Sequence, residues 1–378
     1  MASTSLVPTL ELGILSRAAR LNPVIILVLL ALGAVGTASL YSVADGSMRP
    51  WAMSHLARFI VAFVIMITIA LIPLKRLQFL AFPAYLLALV LLIAVEIAGD
   101  VGGGGKRWIV IGPLRLQPSE LMKLGIVFVL AAYYHLLSIR QARTFTSLAL
   151  PALFIGLPCL LVLRQPDLGT TILIAASGIS VVLLSGAPKR LFIGGIAAIS
   201  GAIPLAWKFL LEDYQKARVL TFLNPSEDPL GAGYHITQSK IAIGSGGLNG
   251  KGFLQGTQSH LNFLPEMHTD FIFTTIAEEH GLLGGAVLLM LFLTYLAMGC
   301  IIAMRCRSQF ARLLAMGITM TVFFYVFINV GMVMGILPVV GVPLPLISFG
   351  GSATLTMMAA SGLLLNCDIN RDLTLPKR

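Results

Sequence analysis

Charged residues make up only 11% of this 378-residue chain, and four places gather them at spacings that chemistry can use. An ionisable side chain inside or at the lip of an apolar span is costly, so each such place is a functional candidate by default. The first is Arg115–Lys123, RLQPSELMK. Pro118 and Ser119 suit a helix start and Glu120 its first turn. Lys123 follows three residues on, on the same helix face. One reading is a salt bridge that neutralises an entry turn. The other is a cation held at the membrane boundary to grip a lipid-linked phosphate, which predicts that Lys123 can be removed with little harm to folding. The second place is Arg164–Thr170, RQPDLGT, where Asp167 is either a helix cap or a site carboxylate.

The third place is the glycine-rich run Gly244–Gly256. It lacks the GK[ST] ending and preceding strand of a P-loop, so a tightly turning loop is the simpler reading. The fourth is Phe263–His280, FLPEMHTDFIFTTIAEEH, which crowds Glu266, Asp270, Glu278 and Glu279 with His268 and His280. Thr269 suits a cap for a helix whose first turn contains Asp270. By spacing alone, capping, catalysis and a transporter's proton relay all fit.

The elements that position these residues are membrane helices. Hydrophobic residues reach 57% and mean hydropathy +0.92, too apolar for a soluble surface. At about 20 apolar residues per crossing, the chain reads as all-α, a polytopic integral membrane protein with about ten transmembrane helices. The predicted spans are about 22–42, 55–74, 77–98, 118–137, 146–163, 168–186, 191–211, 282–304, 311–335 and 345–366. They form a single membrane domain over residues 1–378. A large extracytoplasmic loop of about 212–281 joins helices 7 and 8, built of short helices and re-entrant pieces that roof a site.

The net charge of +10 does not imply nucleic acid, because the cations sit in short clusters between apolar spans. Lys75-Arg76, Arg140 with Arg143, Lys189-Arg190, and Arg305, Arg307 and Arg312 all fall on one side. By the positive-inside rule both termini are cytoplasmic and the candidate site faces outward. Of sixteen acidic residues, only Glu11, Asp368 and Asp372 then lie inside. Trp51, Trp108 and Trp207 fall at outer span ends. The four cysteines give no disulfide framework.

Five stretches resemble the SEDS (shape, elongation, division and sporulation) family. They are KRWIVIGPLRLQPSELMK (106–123), RQPDLGTTILI (164–174), GAGYHITQSKIAIGSGGLNGKG (231–252), GTQSHLNFLPEMHTDFIFTTIAEEHG (256–281) and GILPVVGVPLPLISFGGSA (335–353). The fourth is worded more like the elongation branch than the division branch. The resemblance implies a bacterial inner-membrane peptidoglycan glycosyltransferase that polymerises lipid II, the undecaprenyl-pyrophosphate-linked disaccharide pentapeptide. It also implies a cognate class B penicillin-binding protein and elongation complex proteins as partners.

Transfer from an α-linked pyrophosphate to a β-1,4 glycan inverts the anomeric centre. It needs one carboxylate as base, and positive charge on a leaving group that is already acidic. By the family motifs Asp270, of HTDF, is the general base. Lys123 with Glu120 forms the polar pair at the site floor, Lys123 contacting pyrophosphate. Lys106, Arg107 and Arg115 are further phosphate contacts, and Asp167, Glu266 and His268 support them. A divalent cation such as Mg2+ or Mn2+ bridging pyrophosphate and a carboxylate fits this chemistry. The alternative is a flippase for lipid II or another lipid-linked precursor. Partner contacts through the small residues of the last two spans, Gly331, Gly335, Gly350, Gly351 and Ala353, are a further expectation.

Overall fold

The computed structural model describes residues 13–102, 105–112, 114–188, 232–260 and 266–376, with isolated residues between 190 and 224. A short helix α1 (Ile14–Ala18) precedes α2 (Pro23–Val43). Pro23 stands at the first position of α2, and the Asn22 side chain accepts from the amides of Val24 and Ile25. Then come α3 (Ala52–Leu71), α4 (Leu74–Ala98), strands β1 (Asp100–Gly102), β2 (Gly105–Ile111) and β3 (Leu114–Leu116), and α5 (Pro118–Leu136). The chain continues through α6 (Ile139–Ala142), α7 (Thr146–Arg164) and α8 (Leu168–Leu184). Past residue 231 it forms α9 (Ala232–Gly246), α10 (Thr257–His260), α11 (Ile272–Arg305), α12 (Gln309–Val333) and α13 (Gly351–Ile369).

Among the described residues, seven helices are long and apolar enough to cross a membrane, and α8 is a shorter apolar helix. The predicted spans other than the seventh fall on α2, α3, α4, α5, α7, α8, α11, α12 and α13. The seventh, 191–211, lies almost wholly outside the described residues. Burial grades the bundle. In the apolar windows of α5 and α12, 78% and 67% of residues are buried, against 22% in α7. The central helices are therefore those carrying Lys123 and the site's α12 partners, while α7 faces lipid.

One span boundary differs from expectation. The tenth span starts at Gly351, not 345. The stretch before it is a buried non-helical loop: Val342, Leu344, Leu346 and Ile347 are all enclosed, and Leu346 has φ 64°. Pro343 and Pro345 deny this stretch helical hydrogen bonds, while hydropathy alone reads a buried loop as a span. The predominantly helical fold carries one small sheet. β1, β2 and β3 form an antiparallel sheet, with Ile109 opposite Leu116 and Val110 opposite Arg115. The run WIVI supplies the aromatic and β-branched residues that favour strands.

Candidate active site

At the start of α5, Pro118 holds the first helical position and Glu120 lies in the first turn. Glu120 is 3% exposed and Lys123 1%. Lys123 Nζ donates to Glu120 Oε1 at 2.6 Å and to the Tyr325 hydroxyl, which in turn donates to Glu120 Oε2 at 2.7 Å. Nζ also stands 4.5 Å from the centre of the Tyr325 ring. The salt-bridge reading therefore describes this conformation, and Tyr325 closes the pair into a three-membered ring. An ion pair this deep is stable only while each charge keeps its partner. The expectation that Lys123 can be removed without harm to folding is accordingly withdrawn.

One helical turn from Tyr325, on the same face of α12, Asn329 donates through Nδ2 to the Asp270 carbonyl at 2.8 Å and the Val342 carbonyl at 2.7 Å. The α12 helix thus ties the Lys123 pair to the HTDF segment. Asp270 is half-buried and is not the N-cap residue of α11, which begins at Ile272 with Phe271 in that position. Thr269 is not the cap either; its hydroxyl donates to Glu266 Oε2 at 2.7 Å. Asp270 Oδ2 lies 3.4 Å from where a Cβ on Gly341 would stand.

Main-chain bonds pin this segment further: Phe349 N donates to the His268 carbonyl at 2.8 Å, and Ser348 Oγ to that of Thr269 at 2.6 Å. The His268 ring stacks on Trp51 at 4.7 Å. Burial there lowers its pKa, with the Glu266 carboxylate acting the other way. Glu266 itself is exposed.

Asp167 both caps and pairs. Its Oδ1 accepts from the amide of Thr170 at 3.0 Å, and Oδ2 lies 3.7 Å from Arg107 Nη1. Arg107 also donates to the carbonyls of Gln165 at 2.9 Å and Pro166 at 2.5 Å. It therefore latches the sheet to the start of α8. Lys106 and Arg115 are exposed. The Arg115 carbonyl accepts from Ser352 Oγ at 2.9 Å, anchoring β3 to α13.

Sequence reading passed over three residues here. Tyr325 and Asn329 are polar groups in an apolar span with no local companion, and their partners lie far away in sequence. Arg58 carried a usable signal, a lone arginine inside a predicted span. It is exposed, with its guanidinium 4.8 Å from the Phe349 ring centre.

The remaining acids of the fourth cluster are structural. Glu278 Oε1 accepts from Lys251 Nζ at 2.7 Å, Gln258 N at 3.0 Å and Thr257 Oγ1 at 3.2 Å, while Glu279 Oε1 accepts from Ser42. The glycine-rich run lies against this part of α11. Gly281 breaks the helix with φ 64° and ψ −161°. The freed carbonyls of Glu278 and Glu279 accept from the amides of Lys251 at 3.0 Å and Gly252 at 2.9 Å. A Cβ on Gly250, whose φ is +79°, would stand 2.0 Å from the Glu279 carbonyl oxygen. The run is a backbone clamp on the broken helix. Among the described residues no three His, Cys, Asp or Glu side chains group to hold a metal.

The profile of the FtsW/RodA/SpoVE "Cell cycle protein" family matches residues 20–373. The chain is 44% identical over 351 residues to the peptidoglycan glycosyltransferase MrdB of Escherichia coli K12, covering 93% of this chain and 94% of that one. It is 39% identical to the stage V sporulation protein E of Bacillus subtilis over 75% of each chain. Among solved structures it superposes on a chain of a peptidoglycan synthase complex with TM-score 0.78 at 32% identity, covering 93% and 98% of the two chains. The rod shape determining protein RodA of Thermus thermophilus matches with TM-score 0.67 at 29% identity, covering 93% and 97%. A profile match over nearly the whole length, and relatives sharing both sequence and fold, leave one conclusion: the chain belongs to the FtsW/RodA/SpoVE family.

Proposed function

We propose that this protein is a peptidoglycan glycosyltransferase that polymerises lipid II into glycan strands during cell elongation, at the outer face of the cytoplasmic membrane. The observation that carries the reading is α12. It joins one half-buried carboxylate, Asp270, to one enclosed cation, Lys123, through Asn329 and Tyr325. That is the set an inverting transfer from a pyrophosphate calls for.

Asp270 takes the proton from the acceptor hydroxyl as its oxygen attacks the anomeric carbon in line. The pyrophosphate leaves with the bonding pair and needs cations, not an acid. In this conformation the cavity beside Lys123 is only about 10 Å3, too small for a pyrophosphate. Lys123 therefore reaches the leaving group only after its ring with Glu120 and Tyr325 opens. Arg58, Lys106 and Arg115 are exposed and meet the charge first. Asp270 or Glu266 would be the carboxylate to hold a divalent cation, which would supply Lewis-acid charge.

The partner in this reading is a class B penicillin-binding protein. Its apolar transmembrane helix suits the groove of about 520 Å3 between α11 and α12, where Leu289, Leu293 and Phe327 are exposed. Of the small residues expected to make that contact, Gly331 lines this groove, and a side chain added at three of them would meet neighbours. A Cβ on Gly331 would meet Leu337 at 2.9 Å, on Gly335 Lys240 at 2.1 Å, and on Gly351 Arg58 at 3.1 Å. Bulky residues there would disturb packing. Leu293→Trp with Val330→Trp fills the groove instead and should abolish co-purification without loss of polymerisation.

The deciding experiment gives purified protein lipid II in detergent. Glycan polymer is the expected product. Absence of polymer, with relocation of lipid II across sealed vesicles, would favour a flippase.

A further inference from the structure

A cleft of about 700 Å3 opens between the start of α4 and the end of α5, far along both helices from Glu120. Its lining includes Lys75, Arg76, Phe79, Phe82, Ala132 and Leu136. It lies at the end of the bundle that carries the basic clusters, since α5 is followed directly by Arg140 and Arg143.

The mouth is positive in three independent ways. Lys75 and Arg76 are exposed and form no ion pair among the described residues. The first turn of α4 contains no acid, and its amides receive no side-chain cap, so the positive end of the helix dipole is uncompensated. Among the described residues no acidic side chain lines the cleft to offset this charge. Below the mouth the walls turn apolar: Phe79 is 76% exposed, Phe82 40% and Leu136 42%. Positive charge over an apolar slot is the complement of a headgroup phosphate above an acyl chain.

We propose that this cleft binds one anionic phospholipid, with its phosphate on the Lys75 and Arg76 side chains at the positive end of α4 and one acyl chain along Phe79 and Phe82. A zwitterionic lipid brings a second, positive group to a mouth with nothing to receive it. A soluble anion leaves the apolar walls uncovered. The site is separate from Asp270 and Lys123, so it stands whether or not the protein polymerises lipid II.

The test is native mass spectrometry of the detergent-solubilised protein, titrated with phosphatidylglycerol or phosphatidylcholine of identical chains. One tight phosphatidylglycerol adduct is expected, and none for phosphatidylcholine. Lys75→Gln with Arg76→Gln should weaken that adduct about tenfold. Leu136→Trp, which fills the slot without altering charge, should also remove it, and guards against the double variant's having changed topology. Polymerisation by either variant in detergent should match the parent. Equal retention of the two lipids, or an unchanged phosphatidylglycerol adduct in both variants, would overturn the proposal. So would displacement of the adduct by undecaprenyl pyrophosphate at low excess, which would make the cleft a carrier-lipid site.

Discussion

Asp270 and Glu278 stand eight residues apart and are held in opposite ways. Glu278 is 0% exposed, and Lys251, Thr257 and the Gln258 amide all converge on its Oε1. Asp270 is half-buried, and its anchor to α12 is its main-chain carbonyl. Both come from one acidic run, yet only Asp270 has the exposure that an attacking hydroxyl requires. The density of carboxylates in a sequence thus says little about chemistry. What separates an anchor from a base is how far the side chain is enclosed: Glu278 is shut away and Asp270 is not. By that measure Glu120, closed in by Lys123 and Tyr325, belongs with Glu278.

The largest expected effect tests Glu120's place in that division. Lys123→Ala strands a buried carboxylate and should destabilise the protein by about 3–5 kcal/mol. This would appear as a lowered melting temperature and loss of monodisperse protein. Glu120→Gln with Lys123→Met removes both charges and should restore most of that stability. Any activity lost in the double variant then reports the cation's chemical role. A Lys123→Ala protein as stable as the parent would show that Glu120 is not enclosed.

Asp270→Asn tests the other class. Asparagine keeps the shape of the side chain and an oxygen that accepts hydrogen bonds, so stability should be unchanged. Polymer formation should fall by about 10²-fold or more, equivalent to about 2.7 kcal/mol of barrier. Asp270→Glu should recover little, since a shift of about 1 Å can itself cost about 10²-fold. Robust polymer from Asp270→Asn would remove the base assignment.

Glu278→Gln should do the reverse. It keeps the shape and loses the charge facing Lys251, lowering stability by about 1–3 kcal/mol while activity per folded molecule holds. Activity lost without loss of stability would move Glu278 into the site.

The smallest effect is in pH. Burial on Trp51 holds the His268 pKa below its ordinary 6.5, so the unfolded chain takes up the proton first. Stability should decline slightly as pH falls from 6.5 towards the folded-state value and then level off. In His268→Gln that part of the decline should vanish from melting curves.

Much of this was legible in sequence for a simple reason. A lipid-facing helix must be apolar along some 20 residues, so α2, α3, α4, α7 and α11 stand out in hydropathy. The loop at 342–349 did not, because a buried loop is as apolar as a span. The motif residues Glu120, Lys123, Asp167 and Asp270 stand out in the sequence, but their partners on α12 do not. The bonds from Tyr325 to Glu120 and from Asn329 to Asp270 close across 205 and 59 residues, and no local pattern encodes such a distance. Hydroxyls and amides in a span carry no charge to mark them.

The clamp of Gly250 on the broken helix at Gly281 has a consequence for how the chain can evolve. Where two side chains clash, shrinking one can rescue enlarging the other. Here the obstacle to any side chain at Gly250 is the carbonyl oxygen of residue 279, and every amino acid carries that atom. No exchange at the contacted position can act as a suppressor. A genetic screen for revertants of Gly250→Ala should therefore return the original glycine, or changes that shift the whole 244–256 segment, and none that alter Glu279 alone.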